Sequence, residues 1–338
     1  MNDFSNGGPP EEERSAQRPP RNLAWERLQI AAPALAIASV ILLTSILQSL
    51  LHGIVAAYFP DVIKAGWYRQ VLSMLPMYLF AMPFSLVLFR LSEAEPPQKR
   101  KLKTAVLLGL LAVCFALSYI GNWVGALVNE LTSLITGTPA ENALVQMTMS
   151  TPLWSNLLFI GILAPIMEEI FYRKLVIDRL RRYGELPAIL ISGIAFGLIH
   201  GNFSQFFYAV MIGIVLGYVY LRTGNILHTI CLHMAINLIC GVFATEVYRH
   251  LDMELMLRDP VAFLTQNSVG AVMYVIYMSF LMIACVAGIV SAILLMVYWV
   301  RKPTRAAHPL TGGEWVRVLV VNPGVWLFLL VIAMLFLF

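Results

Sequence analysis

The chain has 338 residues, of which 59% are hydrophobic and 12% charged, with a formal net charge of +4. A soluble domain carries about 25% charged residues, so this composition, with a mean hydropathy of +0.77, excludes an ordinary soluble protein. It predicts an all-α, polytopic integral membrane helical bundle, surrounded by membrane lipid and without a nucleic-acid partner.

Residues 1–27 are polar and rich in Pro, Gly and charge, and lack the apolar core and cleavage site of a signal peptide. They read as a disordered cytosolic tail. A membrane-spanning helix needs about 20 apolar residues. Three candidates fall in the N-terminal membrane block, 28–151: residues 28–52, 71–89 and 104–126. Four follow in the block 152–241, at 153–175, 186–202, 204–221 and 226–243. Two more lie in the C-terminal block, 242–338, at 269–300 and 319–338. The expected number of spans is eight or nine; eight would make one candidate re-entrant or interfacial, and the short fifth and the last are the weakest. With the N-terminus inside, 19 of the 23 Lys and Arg face the cytosol and 4 face out, as the positive-inside rule requires. Short loops and the missing signal peptide fit a bacterial inner (plasma) membrane.

Gly193, Gly197 and Gly201 recur every four residues, as do Gly213 and Gly217. Such stripes let helices approach closely in lipid, and they predict tight packing of the fifth and sixth candidates. Cys114, Cys231, Cys240 and Cys285 all lie in apolar segments and are expected to be buried free thiols.

The stretch APIMEEIFYR, residues 164–173, holds Glu168, Glu169 and Arg173 inside an apolar run. Unpaired at mid-membrane, three such charges would cost on the order of 8–10 kcal/mol. Glu169 and Arg173 are four residues apart with the acid first, the favourable order for a helical ion pair. That accounts for two charges as a clamp. Glu168 points about 100° away and needs another partner. Further on, Phe196 and His200 share the end of the fifth candidate, and His233 and Asn237 share a face of the seventh. His228 sits at the cytosolic entry of that candidate and reads as interfacial. For Glu168 and His200 to lie at one depth, the fourth helix must run on past Arg173 to about Arg179, with RLRRYG at the cytosolic edge. Pro165 is expected to kink that helix.

One spare carboxyl, two imidazoles and an amide suit hydrolysis of a peptide bond by water. Glu168 with His200 can hold and deprotonate the water, while His233 and Asn237 can donate to the oxyanion. A zinc site with Glu168, His200 and His233 as ligands is the alternative. No HExxH motif occurs, and Asn is a poor zinc ligand but a good oxyanion donor, which favours a cofactor-free site. Two readings from other classes compete: a proton-coupled transporter using Glu168 and the histidines as a relay, and a non-catalytic scaffold, immunity or partner-binding protein. Paired inverted repeats, which a transporter would carry, are not evident.

Taken in order, E-E-x-x-x-R (Glu168, Glu169, Arg173), F-x-x-x-H (Phe196, His200) and H-x-x-x-N (His233, Asn237) resemble the motifs of the CPBP intramembrane proteases. That family, also called Abi, includes the type II CAAX prenyl endopeptidases and bacteriocin-immunity proteins. The resemblance covers residues 152–241 as a catalytic core. It implies an all-helical membrane fold and endopeptidase action on a membrane-anchored or lipidated protein. It also implies that Glu168 and His200 activate water and that His233 and Asn237 form the oxyanion site. Glu169, Arg173 and Phe196 would give structural support. The metalloprotease label that the family often carries leaves the zinc alternative open.

Overall fold

The computed structural model describes residues 22–137, 143–298, 306 and 308–337. The expected disordered tail falls outside the described residues up to position 21, but its end does not. Leu23–Arg27 already form the start of the first helix, because Asn22 caps the first turn through its side chain and Glu26 is buried against Tyr183.

Every regular element among the described residues is helical. Seven helices are long and apolar enough to cross a membrane. They are α1 (Leu23–Tyr58), α2 (Tyr68–Phe89), α3 (Thr104–Thr136), α4 (Leu153–Tyr183), then, after a shorter α5 (Glu185–Leu198), α6 (Phe203–Thr223), α7 (Ile226–Arg249) and α8 (Ser268–Tyr298). The last candidate is broken into α9 (Gly312–Val320) and α10 (Pro323–Leu337), which meet at 67° and bring the number of spans to eight if counted as one. The break has a local cause. Val321 leaves helical geometry, Asn322 accepts from the amides of Gly324 and Val325, and Pro323 has no N–H with which to continue α9.

The fifth candidate corrects the count of nine full-length spans. At 14 residues, α5 rises only about 20 Å, and it folds back antiparallel on α6. Their bases are joined by an ion pair between Arg222 and Glu185 at 2.8 Å. Above it the expected glycine contacts appear. A Cβ on Gly213 would stand 3.0 Å from Gly193 Cα, and one on Gly197 would stand 2.9 Å from Phe206 O. The next helix presses equally hard on the other side, where a Cβ on Gly121 of α3 would meet Tyr208 N at 2.6 Å. Backbones this close leave no room for a side chain, so α3, α5 and α6 form one rigid block.

Basic residues gather at one end of the bundle. Arg182 is buried there, bonded to Glu93 at 3.0 Å and lying 4.4 Å from the centre of the Trp25 ring. Arg179 donates to Phe89 O at 2.9 Å, and Tyr220 donates to Asp178 at 2.8 Å. As expected, α4 continues past Arg173, and the RLRRY segment forms its last turn.

Regular α-helical bonding gives way to wider i→i+5 turns at Met77–Ala81 in α2, at Asn156–Leu163 and Ile170–Ile177 in α4, and at Asn237–Phe243 in α7. Pro165, which lacks an amide, sits just beyond one such stretch, and α4 remains one continuous span around it. Such turns rotate the residues beyond them and often mark functional sites. The four cysteines are free, but only Cys114 is buried; Cys231 is exposed. It lies opposite the face of α7 that buries Thr229, Leu232, His233 and Ile236.

Replacing Gly213 with Leu is expected to lower thermal stability in detergent by about 1–3 kcal/mol, the usual cost of overpacking. Gly53→Leu, where an added Cβ meets nothing within 4 Å, should melt with the wild type. Equal melting of all three proteins would contradict the packing described.

Candidate active site

Glu168 is the midpoint of the 31-residue α4, about 22 Å from either end at 1.5 Å per residue. His200 follows the C-terminus of α5, fifteen residues from Glu185, and so lies at about the same height above the basic end. The depth match required by the sequence pattern is present.

The centre of the site is a fully buried ion pair. Arg173 donates from Nε to Glu169 Oε2 at 2.9 Å and from Nη2 to Oε1 at 3.2 Å. Its Nη1 donates to Ser192 Oγ at 3.0 Å, and that hydroxyl donates to Tyr172 O at 3.1 Å. Side chains of both partners are 0% exposed. The pair is not only a clamp. Glu169 Oε1 also receives His233 Nδ1 at 3.1 Å. A carboxylate held by two guanidinium N–H groups is an acceptor, so Nδ1 of His233 is the donor. Nε2 is thereby aimed at the second acid, 3.7 Å from Glu168 Oε2.

Two acids that point 100° apart on one helix thus share one imidazole, because its two nitrogens face different ways. Glu168 keeps 17% of its side chain exposed and has no arginine partner among the described residues. Its other oxygen receives Tyr78 Oη at 3.5 Å, from α2, far outside the motif-bearing segment.

Phe196 holds the rest together. Its ring meets His200, His233 and Tyr172 edge-on, with centres 5.2, 5.6 and 5.2 Å away, and Arg173 Cζ lies 5.4 Å from its centre. His200 donates from Nδ1 to Phe196 O at 2.8 Å, which leaves its Nε2 as a lone-pair acceptor in the neutral ring. Asn237 donates to Ile160 O at 3.0 Å, tying α7 to the wide turn of α4 and leaving its second amide hydrogen free of that bond. The structure therefore joins Glu168, Glu169, Arg173 and His233 directly. His200 is linked to them through Phe196, and Asn237 through the packing of α7 on α4. Among the described residues, no direct hydrogen bond or ion pair joins His200 or Asn237 to Glu168.

A catalytic zinc takes three protein ligands and a water. Glu168 and His233 are near enough to be two of them, but no third His, Cys, Asp or Glu among the described residues completes a group that could hold a metal. The set Glu168, His200 and His233 does not fit the ion in this geometry. Sequence reasoning also missed Tyr78, Ser192 and Tyr172, whose hydroxyl is buried without a partner among the described residues. Only Tyr78 had a usable signal, a phenol set between Pro76 and Pro83 inside an apolar span.

The family model described as type II CAAX prenyl endopeptidase Rce1-like matches residues 150–239, the segment that supplies every motif residue above. Over that segment, about a quarter of the chain, the protein resembles the family. Two curated relatives each match part of the chain. UPF0177 protein YxdF of Lactococcus lactis subsp. lactis (strain IL1403) is 24% identical over 136 residues, 40% of this chain and 73% of its own length. "Putative membrane peptidase YdiL" of Bacillus subtilis (strain 168) is 27% identical over 117 residues, 34% of this chain. The match spans about half of YdiL, 47% of its length. No solved structure is a significant match.

Removing one partner of a buried ion pair strands the other charge, so Arg173→Ala should cost about 3–5 kcal/mol of stability. Replacing both partners with apolar residues, Glu169→Leu with Arg173→Leu, should recover most of the loss in a thermal melt. A single variant that melts like the wild type would show that the pair carries no such weight.

Proposed function

We propose that this chain is an intramembrane endopeptidase that cleaves a peptide bond of a membrane-anchored or lipidated protein, a prenylated CAAX-type C-terminus being the first substrate class to test. The observation that carries the proposal is the Glu168–His233 pair, open only in small part on the side of Glu168 and fixed from behind by Glu169 and Arg173. Charge accounting adds to it. With Glu169 ionised and Arg173 charged, two proton arrangements leave the buried cluster neutral: a carboxylate at Glu168 with a cationic His233, or a carboxylic acid with a neutral imidazole. They differ in the position of one proton, which moves between a base and an acid 3.7 Å apart.

In the first arrangement Glu168 takes a proton from water as the water oxygen bonds to the substrate carbonyl carbon. His200 Nε2, free because Nδ1 is committed to Phe196 O, accepts the second water hydrogen and orients the nucleophile. The carbonyl oxygen gains negative charge, and His233 Nε2–H and the free Asn237 amide hydrogen donate to it. Collapse breaks the C–N bond, and Glu168 passes its proton to the leaving amine, which restores the starting state. Tyr78 donates to Glu168 and holds its second oxygen away from the water. No step needs a metal. The concentration of basic side chains at one end supports a cytosolic assignment for that end, and a bacterial inner membrane is the proposed setting.

The test uses purified full-length protein in detergent with farnesylated and unmodified CAAX peptides, followed by mass spectrometry. Glu168→Gln should lower turnover about 10²–10⁴-fold and Asn237→Ala about 10²–10³-fold, with melting temperatures near that of the wild type. Tyr78→Phe should lose about tenfold, the scale of one hydrogen bond to a charged group. Full activity in Glu168→Gln would overturn the proposal. Prolonged treatment with a chelator should leave turnover unchanged; a loss restored by zinc would replace this mechanism with the metal one.

A further inference from the structure

At the basic end of the bundle, the segment between α2 and α3 is a strap laid across the ends of the catalytic helices. Glu93 N donates to Gln29 Oε1 at 2.7 Å, Glu95 N donates to Asp178 O at 2.6 Å, and Arg181 donates to the carbonyls of Glu95 and Pro96. Beyond these, Arg100 N donates to Thr223 O at 2.7 Å, which pins the strap to the last turn of α6. Gly224, with a φ of +58°, packs against Pro97 O, where a Cβ would come within 2.7 Å.

Where the strap enters α3, an open cavity of about 370 Å³ is lined by Lys99, Arg100, Lys101, Leu102, Asn225 and His228. The lining contains three consecutive cations and no carboxylate. All three are exposed, and none forms an ion pair among the described residues. His228 adds a buried Nδ1 that has no hydrogen-bond partner among the described residues. The proteolytic site uses none of these groups.

We propose that this cavity binds the phosphate of an anionic phospholipid headgroup. The cations and the unpartnered imidazole are complementary to a phosphate: an arginine fork and ammonium groups take its oxygens, and His228 supplies a further donor. The height of the cavity selects the lipid over a free anion. It lies where the apolar spans α3 and α7 begin and α6 ends, the plane of the lipid phosphates. Leu227, next to His228 in the chain, is 62% exposed, a surface on which an acyl chain can lie. Basic pockets between helices at the cytosolic side are recognised places for such headgroups. Binding would hold the strap, and with it the basic ends of α4 and α6, against the membrane surface.

Full-length protein is reconstituted in nanodiscs of phosphatidylcholine alone, of phosphatidylcholine with phosphatidylglycerol, and of phosphatidylcholine with added inorganic phosphate. Thermal melting is followed in each, with native mass spectrometry of retained lipid. Phosphatidylglycerol should raise the melting temperature and be retained, while inorganic phosphate should do neither. The triple variant Lys99→Gln, Arg100→Gln, Lys101→Gln should bind phosphatidylglycerol about 100-fold more weakly, from about 1 kcal/mol per cation, and melt with the wild type in phosphatidylcholine alone. If the triple variant does not fold, Lys101→Glu alone carries the test and should lose retained lipid. Undiminished phosphatidylglycerol binding by the variants overturns the site. Stabilisation by inorganic phosphate equal to that by the lipid overturns the lipid as its occupant.

Discussion

Glu169 and Arg173 have no exposure to solvent or lipid, and in a bundle of apolar helices neither charge is sustainable alone. Their two hydrogen bonds make the pair tolerable, and the remaining capacity of each partner does structural work. Arg173 reaches across to Ser192 on α5, and Glu169 reaches to His233 on α7. Three helices, α4, α5 and α7, are thus fastened at one depth by one ion pair. The orientation of the His233 ring follows from it, and so does the direction in which Nε2 faces Glu168.

The close glycine contacts serve the same end. They make α3, α5 and α6 a block against which α4 and α7 can be placed, and they bring Phe196 near enough for its ring to touch both imidazoles. The polar residues near the far end of α4 form a second fastening. Gln70 of α2 donates to Asn156 at 3.0 Å and receives Ser155, while Asn156 and Arg249 both donate to Thr148 O. Polar groups in this protein are few, and most of those inside the bundle tie one helix to another.

Much of this was legible beforehand because the signals were chemical and local. Apolar runs located α1 to α4 and α6 to α8, the four-residue spacing identified the Glu169–Arg173 pair, and the glycine stripes announced the contact of α5 with α6. The depth argument for His200 correctly carried α4 on to its basic last turn. Other features had no such signal. The wide turns at Ile170–Ile177 and Asn237–Phe243 change the rotation per residue, so helical spacing could not tell which imidazole faces Glu168. Tyr78 comes from α2, ninety residues before Glu168 in the chain, and only the tertiary fold brings it near. The break between α9 and α10 did have a cue, the Asn322–Pro323 step, but the apolar run on both sides masked it. Cys231 was misread because an apolar residue in a membrane helix is as stable facing lipid as facing protein.

The account turns on the proton at Nδ1 of His233, fixed by Glu169, with Nε2 facing Glu168. The direct measurement is the ¹⁵N spectrum of histidine-labelled protein in nanodiscs, with His233 assigned by its loss in His233→Gln. The wild type should show a protonated, hydrogen-bonded Nδ1 whose resonance shifts in Glu169→Gln, and an Nε2 that responds to Glu168→Gln. A bare Nδ1 in the wild type, indifferent to Glu169→Gln, would contradict it.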